Sequence, residues 1–179
     1  MKTNTTKFLY IFFAAGLAAL LFLAGCELYG KAGDDGNTQG TLPVLLRGEW
    51  VYIPPGSSAP SERYIIDADT VQYGYGGGES DTNYKGNIRF VSNYSATSGV
   101  IIIEYTESPS YQKYNGNKFF SIYYRNLNSD TVQLANAINA DYSSPDTKTL
   151  EEAIKKFTRL RMGNYVDWGV VQPQQKVRE

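Results

Sequence analysis

The chain has 179 residues, with 17 Lys and Arg against 18 Asp and Glu, one cysteine and no histidine. The missing histidine excludes Ser-His-Asp and Cys-His nucleophilic chemistry, the usual zinc sites and the commonest general base near neutral pH. A net charge of −1 offers no basic surface to nucleic acid, and a single cysteine permits no disulfide within the chain.

The first element is an N-terminal signal. Lys2 and Lys7 precede an uncharged apolar run from Phe8 to Leu23, and Ala24, Gly25 and Cys26 follow. A basic start, an apolar centre and small residues before a cleavage point make a secretory signal peptide. The Leu23-Ala24-Gly25-Cys26 ending resembles the lipobox of bacterial lipoproteins. That resemblance implies recognition of Leu23, Ala24 and Gly25 by a signal peptidase, cleavage after Gly25, and acylation of Cys26. The alternative is an uncleaved membrane helix, since a span takes about 20 apolar residues. The placing of the only cysteine at the end of the run favours the lipoprotein. The implied location is the bacterial cell envelope, on the periplasmic side or the cell surface, with the outer membrane ahead of the inner.

Removing residues 1–25 takes away Lys2 and Lys7, leaving 154 residues with 15 basic and 18 acidic side chains. Such a chain makes one domain, and it has no charge with which to grip anionic lipid. Attachment to membrane then rests on the acyl chains, at about 0.8 kcal/mol per buried CH₂. Residues 26–41 read as lipidated Cys26 and a flexible tether, with Gly30, Gly33, Gly36 and Gly40 among polar residues. The domain is expected over residues 42–171, and residues 172–179 read as a disordered tail. Leu42 to Leu46 are expected to lie across a barrel end as a lid or helical turn.

Strands are expected at 48–53, 62–67, 70–75, 84–91, 99–106, 118–125 and 131–139. Tyr84, Gly86, Ile88 and Phe90 are expected on one face of the fourth, with Lys85, Asn87 and Arg89 on the other. Val132, Leu134 and Ile138 should share a face of the seventh. The period then changes: Leu150, Ala153, Ile154, Phe157 and Leu160 form one stripe of a helix. Thr149 and Glu152 make a capping box at its start, and Gly163 can close it. Residues 164–171 read as a last strand. Short turns and no crossover point to an all-β fold, an eight-stranded antiparallel up-and-down barrel with a helix before the last strand. Such a barrel either fills with side chains or holds one small ligand.

Gly48-Glu49-Trp50 is similar to the Gly-X-Trp motif of lipocalins. The resemblance implies a lipocalin-like (calycin) barrel whose base is formed at Gly48 and plugged by Trp50, with Arg125 or Arg161 to cap the ring. The segments 123–127, 135–137 and 149–158 look like small bacterial lipocalin-like lipoproteins. The implied function is non-enzymatic binding of a small apolar or amphipathic ligand, without cofactor. The alternative is an envelope surface protein whose barrel is a scaffold for protein or matrix binding. Tyr111, Tyr114, Phe119, Tyr123 and Tyr124 form a candidate ligand or partner face, or else pack wall and core. Asp67 and Asp69, like Glu79 and Asp81, read as solvated turn residues, since calcium-loop spacing is missing.

Overall fold

In the computed structural model, which describes residues 39–76, 82–107, 116–139, 145–158 and 166–177, eight antiparallel strands close into a barrel. The first four are β1 (Gly48–Tyr52), β2 (Glu62–Ile66), β3 (Thr70–Tyr75) and β4 (Thr82–Ser95). They continue as β5 (Ser98–Glu107), β6 (Phe119–Arg125), β7 (Thr131–Asn136) and β8 (Pro173–Lys176), and the helix α1 (Leu150–Phe157) precedes β8. Each strand pairs with its sequence neighbours, and β8 returns to β1 through Trp50↔Lys176 and Val51↔Gln175. Closure leaves no free strand edge to pair with another chain. Asp34–Glu179 is a compact unit, and every strand of the barrel finds both partners within it, so that unit carries its own fold.

Period-2 alternation decides which side chains fill the barrel. Trp50, Ile66, Val71, Ile101, Ile103, Ile122, Tyr124, Val132 and Leu134 are buried in one inner cluster. The 3₁₀ turn Val44–Leu46 crosses the barrel end and drops Leu46 into that cluster, beside Leu42. The opposite faces of β5 and β6 carry Val100, Ile102, Phe119 and Tyr123, and α1 covers them with Ala153 and Phe157. Helix formation here is capped at both ends. Thr149 Oγ1 accepts from the Glu152 amide at 3.2 Å while Glu152 Oε2 accepts from the Thr149 amide at 3.3 Å. At the other end the hydroxyls of Tyr94 and Tyr123 both donate to the Phe157 carbonyl, one of the orphan acceptors of a helix C-terminus.

The structure corrects the sequence reading in three places. A β-bulge between Ile88 and Phe90 reverses the alternation of β4. Ile88 and Val91 therefore face inward, and Phe90 joins the outer cluster under α1. Strand β7 stops at Asn136, and Ile138 is exposed beyond it. The barrel is closed by residues 173–176 and not by 164–171; from Asp167 the chain instead turns, with the Val170 amide donating to the Asp167 carbonyl at 3.2 Å. The stretch expected to be a tail thus contains β8. Pro173 occupies its first position, where a missing N–H is tolerated.

Candidate functional site

The two ends of the barrel are built differently. At one end the connections β2–β3, β4–β5 and β6–β7 take three, two and five residues. At the other, β1–β2 takes nine and β5–β6 eleven, and the β7–β8 connection contains α1.

Trp50 closes the short-turn end. It is fully buried, its Nε1–H donates to the Leu46 carbonyl at 2.8 Å, and Lys176 Nζ lies 5.0 Å from its ring centroid. Lys176 Nζ also donates to the Leu45 carbonyl. Gly48 has φ +126°, and a Cβ there would stand 2.8 Å from Lys176 Cε. The residue capping the tryptophan is therefore Lys176. Arg125, one of the two arginines expected there, follows inward-facing Tyr124 and so points out, lying 4.3 Å over the Trp168 ring. Arg161, the other, lies outside the described residues.

The long-loop end is aromatic and polar. Tyr64 of β2, Tyr73 of β3, Tyr84 of β4, Tyr105 of β5 and Phe120 of β6 form a continuous chain of rings around the inner wall. Successive centroids are 4.7, 4.9, 5.9 and 4.3 Å apart, and Tyr84 also meets Phe120 at 4.5 Å. Tyr75 extends the chain to the rim, 5.3 Å from Tyr73, and is 59% exposed. The phenol tips are paired where they meet the wall: Tyr84 donates to Asn136 Oδ1 at 2.7 Å and Tyr105 to Asp146 Oδ2 at 2.8 Å. Burial raises the pKa of Tyr64, Tyr73 and Tyr84 well above that of a free phenol, so these hydroxyls remain protonated.

Glu62 and Gln174 sit at the same end. Gln174 Nε2 donates to Glu62 Oε2 at 3.0 Å, bridging from β8 across β1 to β2. Gln174 is 1% exposed, and its Oε1 is buried without a hydrogen-bond partner. Burial raises the Glu62 carboxyl above its ordinary range, opposed in part by the hydrogen bond from Gln174. Such an orphaned acceptor typically costs about 1–3 kcal/mol.

The sequence-derived candidates are distributed as follows. Phe119 and Tyr123 lie on the outer wall under α1, whereas Tyr124 points into the barrel and donates to Asn93 Oδ1 at 2.6 Å. They do not form one face, because adjacent residues on a strand point oppositely. All three are buried and so present no surface to a partner. Tyr111, Tyr114, Glu79 and Asp81 lie outside the described residues, as do Leu23, Ala24, Gly25 and Cys26. Asp67 accepts from the Thr70 hydroxyl in the β2–β3 turn, and among the described residues no group of His, Cys, Asp or Glu is placed to hold a metal. Glu62, Tyr64, Tyr73 and Gln174 are not among the site candidates read from sequence, and Tyr84 is placed there on a strand face without a role in a site. The alternation of β2 and β3 could have found Tyr64 and Tyr73; Gln174-Gln175-Lys176 has no apolar residue to reveal a period.

Comparison with protein-family models, with curated proteins and with solved structures gives no match.

Proposed function

We propose that the protein is an extracytoplasmic lipoprotein, anchored through acyl chains on Cys26, whose lipocalin-like barrel takes a small amphipathic ligand at its long-loop end without catalysing a reaction. The observation that carries this reading is the pairing of an aromatic wall with a few convergent polar groups, Glu62 and Gln174, at one end of a closed barrel. Ligand sites combine mostly apolar lining with few polar groups in this way. The ligand is held near the rim, beside Tyr75, the exposed ring of the chain.

Two measurements test the two halves of this reading. In a detergent phase separation the full chain should enter the detergent phase and Asp34–Glu179 the aqueous phase; entry of the shorter chain into detergent overturns the anchor. Native mass spectrometry of Asp34–Glu179 with a panel of small amphiphiles should show a one-to-one adduct. Retention of none of them overturns the ligand reading and leaves the barrel as a scaffold.

A further inference from the structure

The rim of the long-loop end carries an unusual set of polar atoms. In the sheet register Tyr52 of β1 stands opposite Glu62 of β2, and Glu62 stands opposite Tyr75 of β3. Gln174 reaches Glu62 from β8, on the far side of β1. Gln174 gives its N–H to Glu62, and its oxygen remains as a buried acceptor without a donor. Turning the amide around would set that oxygen against the Glu62 carboxylate, which disfavours the exchange when Glu62 is ionised.

Among the described residues no cation faces this corner. Among the described residues Glu62 has no ion-pair partner. Arg63, next along β2, points outward to Glu49 at 2.8 Å. Lys176, the cation that β8 turns inward, is held at the opposite end over Trp50. The rings lining the corner, Tyr64, Tyr73 and Tyr75, add electron-rich faces, which attract cations. A carboxylate, an orphaned amide oxygen and tyrosine faces together accept hydrogen bonds and favour positive charge. A neutral or anionic head group would leave the carboxylate uncompensated, and an anion would be repelled by it.

We infer that the rim bounded by Gln174, Tyr52, Glu62 and Tyr75 binds an organic ammonium group, the N–H-bearing head of a small amphipathic amine. The Glu62 carboxylate supplies the counter-charge, Gln174 Oε1 accepts one N–H, and the ring of Tyr75, the exposed member of the set, covers the alkyl part. This rests on the ligand reading above and specifies the charge of its ligand.

The test uses three probes of equal chain length, hexylammonium, hexanol and hexanoate, titrated calorimetrically into Asp34–Glu179. Hexylammonium should bind about tenfold more tightly than hexanol, and hexanoate more weakly than either. Glu62→Gln retains the acceptor for Gln174 and removes the charge. It should erase the tenfold preference of hexylammonium over hexanol, with a cooperative thermal transition no lower than the parent's establishing that the barrel is intact. Tyr75→Ala, at an exposed position, should weaken hexylammonium and hexanol alike. Equal binding of hexylammonium and hexanol, or a preference that survives Glu62→Gln, overturns the ammonium site while the amphiphile reading stands. Binding of none of the three overturns both.

Discussion

The short-turn end and the long-loop end of this barrel are made from the same eight strands and satisfy opposite requirements. At the short-turn end the tryptophan plug is paired: the Trp50 indole donates to Leu46, and the Lys176 ammonium lies over the Trp50 ring and donates to Leu45, while Arg47 Nε beside the plug is buried without a partner. At the long-loop end the ring chain ends in an exposed tyrosine, and a buried glutamine oxygen has no donor. The first arrangement is what packing for stability produces. The second leaves an acceptor without a donor beside an exposed ring, and sites that bind ligands commonly trade stability in this way.

The sharpest way to separate the ends is truncation. Trp50→Ala removes the largest fully buried side chain, its hydrogen bond and the seat of Lys176, and should cost about 3–5 kcal/mol in urea unfolding. Tyr75→Ala at the rim should cost under about 0.5 kcal/mol. A similar loss at both positions would erase the distinction.

Gly48→Ala should be the next largest loss, about 1–3 kcal/mol, because φ +126° is open to glycine and strained for alanine. The added Cβ also displaces the Lys176 stem from above Trp50, so tryptophan emission should shift along with the melting point. A smaller loss, about 1 kcal/mol, is expected for Thr149→Ala, which breaks the capping box of α1 on the outer wall. Ligand binding should be untouched by this change, and a binding defect would make the helix part of the site.

Much of the fold is legible in the sequence because seven of the strands alternate or carry dense β-branched and aromatic residues. The turn before β1 and the capping box at Thr149 and Glu152 are equally readable, since each follows from local chemistry. The bulge after Ile88 is not. It depends on the register with β5, and only the partner strand reveals that Phe90 has changed sides. Strand β8 is hidden for another reason: its inward residues, Gln174 and Lys176, are polar because each serves a particular neighbour, Glu62 and Trp50. Gln174, the β8 residue of the candidate site, thus breaks the pattern by which strands are recognised, whereas the site's tyrosines follow it. Tyr123 and Tyr124 show the converse, where abundance of tyrosine suggests a shared face and strand geometry divides it.

The smallest effect has the opposite sign. Burial favours the protonated form of Glu62 in the folded barrel, so its folded pKa lies above its unfolded value. Its favourable contribution is complete below the unfolded value of about 4.3 and is lost as pH rises through the folded one. Glu62→Gln, which cannot ionise, should therefore match the parent protein in acid and be the more stable of the two at neutral pH. The group is partly solvated, which holds the gain below about 1 kcal/mol. Urea midpoints measured across this range check it, and a destabilised variant at neutral pH would mean that the carboxylate has a stabilising partner.

The division of labour between the ends is tested most directly by backbone amide chemical shifts of Asp34–Glu179, recorded as hexylammonium and, separately, hexanol are added. Saturable shifts are expected at Tyr52, Glu62, Tyr75 and Gln174, with Gly48, Trp50 and Lys176 unmoved. Saturable shifts centred on Gly48, Trp50 and Lys176, or none at either end, would contradict it.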